Sequence, residues 1–576
     1  MSAPSAWKLL APRGRLAWRV AGLAVLTLAM AVLEAAGVGS IAPLVLVLQS
    51  PEGFAATRAG QALAGLLGSA DAAALVPAAV GAVAILFTAK ACVTLAQGYA
   101  AHRFAQALYA DLSTRILAGY LAMPFSRHAA TNSAVLQRNV TTETRMIVDS
   151  IVLQTITAAA EILVITLILL VLVWLNPAVA LGAFLAGAVA LGLGAVVIRR
   201  VGAREGRARE ETQAAMLKLA QSALSGIREV KIAGAEKGFI DRFATAAARH
   251  GHAVTVVGWM QVVPRVALEA VAILVVLGVF LRALMTGTEA ATLPLLAVYL
   301  AAGYRLLPSL NRLYVSGLMI HYAWAGFRAV APGLTEALAA ADVAAAAGPP
   351  PSGERLAADG LGYTYPGAER KVLGDVSIAV GRGEMIGIVG ASGAGKTTLV
   401  NLLLGLLAPA EGTLLLDGAA VTTEGERARL RAAVAYVAQA PFVADDTLRA
   451  NITLGAAALD AARLAEAVRL AQLDALVASL PQGLDTEIGE RAARLSGGEA
   501  QRIGIARALY LDRPILVLDE ATSALDPATE AALLAALGTL RGERAIIAIS
   551  HKPEALAGCD RVYRVADGTV TLLPSP

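Results

Sequence analysis

The sequence is poor in charge, in aromatic residues and in cysteine. Charged residues make up 16% and aromatic residues 5% of the 576, whereas 57% are hydrophobic and the mean hydropathy is +0.64. A composition this apolar excludes an ordinary soluble protein and implies a membrane. The formal net charge of +4 is too small to indicate nucleic acid as a partner. Cys92 and Cys559 form no C-x-x-C pair, which excludes a disulfide framework and a cysteine metal site of that type.

Six mostly apolar runs are each long enough to cross a bilayer as a helix. The basic N-terminal segment has no small-residue cleavage site at signal-peptide distance, so we expect an uncleaved first membrane helix. Lys and Arg crowd the segments before run one, between runs two and three, and between runs four and five. The positive-inside rule then places both termini in the cytoplasm. The runs lie near residues 20–48, 73–98, 148–174, 178–198, 256–282 and 290–320.

The composition changes after the sixth run. Residues 337–353 are rich in Ala, Gly and Pro, which predicts a linker. Beyond it, strand-like runs such as Met385 to Val389 alternate with helical segments rich in Ala and Leu. We therefore expect an α-helical six-span transmembrane domain at 1–336, followed by an α/β P-loop domain at 354–576 that opens with antiparallel strands.

A phosphate-binding loop opens the first helix of this second domain. Its glycines allow backbone N–H groups to turn inward around phosphate oxygens, and the helix N-terminus adds partial positive charge. Lys396 can reach the β- and γ-phosphates, and Thr397 can offer its hydroxyl to Mg²⁺. ATP and Mg²⁺ are therefore the expected cofactors. The loop reads Gly390-Ala391-Ser392-Gly393-Ala394-Gly395-Lys396-Thr397-Thr398.

Two adjacent acids follow a buried-strand pattern farther along the chain. Asp519 and Glu520 end the run that begins at Ile515. Asp519 suits a residue that organises Mg²⁺, and Glu520 is then placed to polarise an attacking water. The other motifs are Leu495-Ser496-Gly497-Gly498-Glu499, Ser523-Ala524-Leu525-Asp526 and His551. The order and spacing of these motifs resemble those of the ATP-binding cassette (ABC) family.

The ABC resemblance implies a role for each motif. Ser496, Gly497 and Gly498 are the signature that reads the γ-phosphate in a partner subunit, and Asp526 belongs to the D-loop. One phosphate loop and one signature per chain therefore imply a homodimer. Glu499 stands where many exporters carry Gln, a position that tolerates both. The resemblance also gives the remaining site residues, namely Glu520, His551 and Lys396 for catalysis, Thr397, Gln439 and Asp519 for Mg²⁺, and Tyr365 for stacking on adenine.

Two of these residues also have plainer interpretations when each is taken alone. Tyr365 could be an ordinary strand aromatic. His551 could be a structural or surface histidine.

Four basic residues lie inside the predicted spans, where a charge costs about 2.5–3.5 kcal/mol at a helix centre. Helical rise places Lys90, Arg265 and Arg305 at about the same depth, and Arg312 lies two turns beyond Arg305 on the same face. A common depth favours a shared anionic ligand. Two alternatives remain open, because Arg312 could snorkel to the inner interface and Arg265 could pair with Glu269 one turn away.

Two acids also lie in the predicted spans. For both Glu34 and Glu161 we favour interhelical hydrogen bonding over proton coupling.

The membrane half resembles a narrower family, the bacterial lipid-linked oligosaccharide flippases. The resemblance rests on Val262 to Glu269, on Tyr304 to Arg312, and on Glu34 before an apolar turn with Pro43. It implies export of a polyisoprenyl-pyrophosphate-linked saccharide across the bacterial inner membrane, with the arginines at 265, 305 and 312 facing the cavity. Lys90 stands where the family has Arg, so it keeps the charge without a bidentate contact. A lipid or multidrug exporter, which would favour an apolar cavity, is the alternative.

The predicted topology can be tested by cysteine labelling in a Cys92→Ser, Cys559→Ser background. We expect Arg58→Cys, in the first outer loop, to react with a membrane-impermeant maleimide in intact cells. Lys218→Cys, in a predicted cytoplasmic segment, should react only after the cells are permeabilised. Labelling of Lys218→Cys in intact cells would contradict the assignment.

Overall fold

The computed structural model describes residues 14–68, 71–175, 177–286, 289–344, 352–456, 458–489, 495–539, 542–551 and 556–574. The chain divides into two compact units. The first comprises Met1–Leu121 and Thr131–Ala339, and the second comprises Ala122–Ala130 and Ala340–Pro576.

The described part of the first unit is helical, as its high content of Ala and Leu favours. The three longest helices have 51, 51 and 56 residues and are about 75–85 Å long, more than twice the thickness of a bilayer core. These helices are long enough to carry both a span and the predicted extension, and the position of the extensions in the cytoplasm stays a prediction. The α-helices up to residue 344 are α1 Arg15–Gly39, α2 Ile41–Gln49, α3 Pro51–Ala55, α4 Arg58–Leu67, α5 Ala72–Ala122, α6 Phe125–Ala130 (in the second unit), α7 Ser133–Arg138, α8 Thr144–Ile147, α9 Leu153–Leu175, α10 Pro177–Val197, α11 Ala203–Ser225, α12 Ile227–Ala233, α13 Glu236–Thr286 and α14 Glu289–Ala344.

Three helical segments among the described residues are long and apolar enough to cross a membrane, namely Leu16–Val47, Ala74–Ala122 and Ser133–Trp174. They overlap the first three predicted spans. The other three predicted spans lie on α10, α13 and α14, where many side chains fall outside the described residues. The count of six spans therefore stays a prediction.

In the described part of the first unit, three π-helical turns connect helices that would otherwise be continuous. At the first, both the N–H and the hydroxyl of Thr144 donate to the carbonyl of Asn139, the hydroxyl at 2.6 Å. A π turn accommodates an extra residue, so it changes the phase of the side chains that follow it. The π turns are Asn139–Glu143, Val148–Val152 and Ile198–Gly202.

A buried carboxylate joins helices of the first unit. Glu143 is 1% exposed, and its oxygens lie 3.7 Å from Arg138 Nε and 3.5 Å from Arg209 Nη2. The Arg209 guanidinium lies over the Tyr322 ring, 5.5 Å from its centroid. An ionised carboxylate is stable in such a place only when it has opposite charges beside it. These arginines therefore allow π turn Asn139–Glu143, α11 and α14 to pack closely.

The described residues of the second unit form an α/β domain with an antiparallel sheet, as expected, and a mainly parallel one. The antiparallel sheet has the order β2-β1-β4-β5, and the six-stranded sheet has the order β12-β11-β3-β10-β9-β6. The strands are β1 Arg355–Tyr363, β2 Leu373–Gly381, β3 Met385–Val389, β4 Glu411–Leu416, β5 Ala419–Ala420, β6 Val434–Val437, β7 Asp446–Thr447, β8 Glu487–Ile488, β9 Ile515–Asp519, β10 Ala545–Ile549, β11 Arg561–Ala566 and β12 Thr569–Leu572. The helices are α15 Lys396–Leu403, α16 Glu424–Ala433, α17 Leu448–Thr453, α18 Ala461–Leu470, α19 Asp474–Ser479, α20 Gly497–Leu511 and α21 Pro527–Thr539.

The parallel strands determine where the site lies. β3, β10 and β9 are neighbours, with Ile549 in register with both Ile388 and Asp519. The carboxyl ends of parallel strands meet at one edge of a sheet, where ligands bind in such folds. The segments that follow β3, β9 and β10 therefore lie side by side.

Helix α14 extends to Ala344, beyond residue 336, where the sequence predicts the end of the transmembrane domain. Alanine has the highest helix propensity, so the Ala-rich start of the predicted linker continues the helix. Residues 345–351 of that linker lie outside the described residues, and β1 begins at Arg355.

Candidate functional site

The phosphate loop connects β3 to α15. Gly393 and Gly395 have φ angles of +81° and +103°, which only glycine adopts without strain. Gly395 is the N-cap of α15 and makes no side-chain cap, so the N–H groups of the first turn are left for another acceptor. Lys396 Nζ donates to the carbonyls of Gly390 at 2.6 Å and Ala391 at 3.0 Å. These donors together fit a phosphate group.

A chain of side-chain contacts leads from the loop to the predicted general base. His551 Nε2 lies 3.2 Å from Lys396 Nζ and 3.1 Å from Glu520 Oε1. The other oxygen of Glu520 accepts a hydrogen bond from Gln439 Nε2 at 2.6 Å. The fold therefore brings together four residues that are widely separated in the sequence.

Asp519 is the second acid at this edge. Burial raises the pKa of Asp519, a hydrogen bond from Tyr436 at 3.0 Å lowers it, and the Glu520 charge raises it again. Burial also raises the pKa of Tyr436, and the negative charge of Asp519 raises it further. A carboxylate whose charged form is disfavoured in this way is stabilised by a nearby cation.

These residues fit a Mg²⁺ ion that is shared with a nucleotide. In the described part of the chain, no three His, Cys, Asp or Glu side chains converge as metal ligands. Mg²⁺ commonly takes only one or two carboxylates and completes its shell with water and substrate phosphates. Asp519, the exposed Thr397 hydroxyl and the amide oxygen of Gln439, whose Nε2 donates to Glu520, are suitable protein ligands for such an ion.

The signature segment forms the start of α20. Ser496 Oγ accepts from the N–H of Glu499 at 3.3 Å, while Glu499 Oε2 accepts from the N–H of Ser496 at 2.6 Å. Glu and Gln can both complete this capping box, so Glu499 preserves the cap. A Cβ atom at Gly498 would lie 3.0 Å from the carbonyl oxygen of Ala524, a tight contact with backbone that glycine avoids.

Tyr365 and Asp526 lie in different parts of the second unit. Tyr365 is 41% exposed, and its hydroxyl lies 3.1 Å from Thr398 Oγ1 on α15. Asp526 accepts a hydrogen bond from the N–H of Thr529 at 3.0 Å, at the start of α21. The stacking of Tyr365 on adenine stays a prediction.

The sequence did not predict Tyr436 or Gln501 as part of the site. Gln501 is 2% exposed and contacts the backbone of Gln439 and Glu520. In the sequence, Gln501 stands four residues before Ile505, so both lie on one face of α20. Ile505 is 1% exposed, which makes this the buried face of the helix. A polar residue on the buried face of a helix needs a partner, which the sequence alone does not identify.

In the first unit, Glu34 joins two of the four predicted substrate cations. Glu34 is 4% exposed on α1, and its oxygens lie 2.7 Å from Lys90 Nζ on α5 and 2.8 Å from Arg305 Nη2 on α14. Lys90 and Arg305, which the sequence places at a similar depth, therefore meet at one carboxylate. The two positive charges and one negative charge leave the cluster with a formal charge of +1.

The other two cations have separate partners. Arg312 Nε lies 2.5 Å from Glu161 Oε1 on α9. Arg265 Nε lies 2.9 Å from Glu269 Oε1 on its own helix, and the Arg265 side chain is 68% exposed. The structure therefore shows the alternative considered for Arg265, and it gives Arg312 an interhelical partner. Both acids of the spans, Glu34 and Glu161, make interhelical ion pairs.

Family comparisons agree with this architecture. The model of the ABC transporter transmembrane region matches residues 54–300, and the ABC transporter model matches residues 373–523. The chain belongs to the ABC transporters and fuses a transmembrane region with an ATPase domain in one polypeptide.

One similar solved structure is that of a bacterial Atm1-family ABC exporter with ATP bound. It has a TM-score of 0.73 and 25% identity, and the match covers 97% of this chain and 95% of that chain. The ATP-dependent lipid A-core flippase of Cupriavidus metallidurans is 42% identical over 37% of this chain and 36% of its own length. A mycobactin import ATP-binding/permease protein of Mycolicibacterium thermoresistibile is 44% identical over 37% of this chain and 36% of its own length. This chain therefore matches only about a third of the length of these curated relatives.

Replacing Lys396 by Ala tests the phosphate loop. Loss of the ammonium should weaken ATP binding roughly ten- to a hundredfold, because hydrogen bonds to charged groups contribute about 1.5–3 kcal/mol each. Equilibrium binding of labelled ATP to the purified full-length protein measures this. The control is Lys371→Ala, which removes a lysine of the same domain that pairs with Glu411. Equal affinities in the two variants would contradict the assignment.

Proposed function

We propose that this protein hydrolyses ATP and uses the energy to move an amphipathic substrate outward across the bacterial inner membrane. The observation that carries the proposal is the contact chain from Lys396 through His551 and Glu520 to Gln439 at the carboxyl edge of the parallel sheet. The contact chain begins at a phosphate-binding lysine, and His551 connects that lysine to a carboxylate suited to a base. Fusion of this site to apolar helices links it to transport.

Each residue of the site has a specific role in this proposal. Lys396 and the N–H groups that begin α15 bind the phosphates of ATP. Asp519, Thr397 and Gln439 hold Mg²⁺, which neutralises phosphate charge when bound. Glu520 orients the attacking water and accepts its proton, and His551 bridges Glu520 and Lys396.

A homodimer would complete the site. Each chain carries one phosphate loop and one signature, Ser496 to Gly498, which in ABC proteins read the same nucleotide from opposite subunits. Both termini and the ATPase domain are proposed to lie in the cytoplasm, where ATP is available.

For the substrate we propose an anionic amphiphile, specifically a polyisoprenyl-pyrophosphate-linked saccharide. The cluster of Lys90, Glu34 and Arg305 supports this, because it keeps one excess positive charge and its cations remain 23% and 15% exposed. A relative named as a lipid A-core flippase also favours a lipid-like substrate. Arg265 and Arg312 are proposed as further contacts, which an anion would share with Glu269 and Glu161.

A lipid or multidrug exporter without an anion requirement is the second candidate. Each of the four cations is paired, and three carboxylates against four positive charges leave a formal excess of one. A site so nearly neutralised would also suit a weakly charged or neutral amphiphile.

Replacing Glu520 by Gln tests hydrolysis. The amide cannot accept the proton of the attacking water, so ATPase turnover should fall about 10²- to 10⁴-fold while labelled ATP still binds. Phosphate release from the reconstituted protein measures turnover. The same chemical change at exposed Glu466, which pairs with neighbouring Arg469, serves as the control. Turnover near wild type in Glu520→Gln would rule out this role.

Replacing Arg305 by Ala tests the substrate. Glu34 keeps Lys90 as a partner, so we expect the variant to fold, dimerise and hydrolyse ATP. Flipping of a polyisoprenyl-pyrophosphate saccharide in proteoliposomes should fall about ten- to a hundredfold at subsaturating substrate, because charge-assisted hydrogen bonds are lost.

Arg328→Ala is the matched control, because it removes an exposed arginine from the same helix. Flipping by Arg305→Ala at the wild-type rate would favour the second candidate. Loss of the dimer together with ATPase would show that the ion pair is structural.

A further inference from the structure

The side chain of Gln501 contacts two separate loops of the nucleotide site, the one that contains Gln439 and the one that runs from Glu520 to Ala524. Its Nε2 donates to the carbonyls of Gln439 and Glu520, both at 3.3 Å, and to Ser523 Oγ at 2.9 Å. Its Oε1 accepts from the N–H of Ala524 at 3.0 Å. These partners fix the orientation of the amide, because only its oxygen can accept from an N–H group.

Two of these contacts hold the backbone of the residues whose side chains meet at the Glu520 carboxylate. Gln439 Nε2 and Glu520 Oε2 are hydrogen-bonded at 2.6 Å, and Gln501 binds the backbone of both residues. One buried amide therefore fixes the main chain on both sides of that side-chain contact.

The backbone of Glu520 needs such support. Its φ angle is +48°, in the left-handed region that a non-glycine residue seldom adopts. The N–H donates to the carbonyl of Ile549 at 2.9 Å, and the carbonyl accepts from Gln501 and from the N–H of Ser523 at 3.1 Å. A strained conformation persists only when several such contacts determine it together.

We infer that Gln501 is a positioning residue for the hydrolysis proposed above, on which this inference rests. Gln501 acts through Glu520 and holds its carboxylate where it meets water. Because Gln501 lies on α20, it also connects the signature helix to the loop at Ser523 and Ala524. A displacement of that helix is thereby transmitted to the backbone of Glu520.

The test is Gln501→Met in the full-length protein in proteoliposomes, since methionine keeps the volume and removes every hydrogen bond. We expect kcat for ATP hydrolysis to fall about ten- to a hundredfold, the effect of misplacing a catalytic group. KM for ATP and binding of labelled ATP should stay within about threefold, because Lys396 and its loop are unchanged. Gln482→Met, at an exposed glutamine of the same domain, should behave as wild type.

A double variant separates positioning from a general structural effect. In the Glu520→Gln background, adding Gln501→Met should lower the residual hydrolysis by less than about twofold, because residues that act as one unit are not additive. A structural defect would lower hydrolysis equally in both backgrounds. If Gln501→Met does not fold, Ser523→Ala replaces it. That variant removes only the shortest of the four hydrogen bonds and should lower kcat about three- to tenfold with KM unchanged.

Three results would overturn the inference: a wild-type kcat in Gln501→Met, a parallel loss of kcat and ATP affinity, or additivity with Glu520→Gln. If Ser523→Ala carries the test, a wild-type kcat in that variant has the same meaning. The proposed function fails differently. A wild-type protein without ATPase activity, or a fully active Glu520→Gln, would reject it whatever the Gln501 variants do.

Discussion

A buried charge must have an opposite charge beside it, and this constraint organises both units. In the first unit Glu34, Glu161 and Glu143 are each at most 5% exposed, and each contacts at least one basic side chain from another helical element. In the second unit the half-buried carboxylate of Asp519 accepts a hydrogen bond from Tyr436 and is influenced by the positive charge of Lys396. Removing one partner of a buried pair typically costs about 3–5 kcal/mol, so these pairs restrict how the helices can pack.

The same pairing limits how an anionic substrate could bind. Lys90 and Arg305 are bound to Glu34 in this structure, so an incoming phosphate would compete with a carboxylate for them. Competition lowers affinity but allows release, which a transporter needs as much as capture. Arg265 differs, because its pair is exposed and lies on one helix, where solvent screens an ion pair and it adds little to stability.

The parts of the site that the residues themselves predicted are those encoded in contiguous segments, whereas the isolated residues Gln439, His551 and Tyr365 came from the resemblance to the ABC family. The phosphate loop and the Asp519-Glu520 pair carry their chemistry in adjacent residues, so strand and helix patterns were enough to place them. Gln501 was missed because its proposed function depends on backbone atoms from two loops that are distant from it in the sequence. The partner of Arg305 was missed for a related reason, since helical periodicity gives depth and face within one helix but not which helices are neighbours.

The boundary of the membrane unit shows a different limit. An alanine-rich segment has no hydrophobic periodicity that would separate a helix from a linker. Because alanine has a high helix propensity, α14 continues to Ala344. The antiparallel sheet, in contrast, was predicted from strand-like apolar runs, one of which, Val376 to Val380, lies on β2.

The π turns of the first unit have a geometric consequence. Each one stores a surplus residue inside a helix, and the segments Asn139–Glu143 and Val148–Val152 lie only one short helix apart. Converting either turn to α-helix would advance the following helix by about 1.5 Å and rotate it by about 100° relative to the preceding one. Since α9 carries Glu161 beyond both turns, such a conversion would turn the partner of Arg312 away without unfolding a single turn of helix.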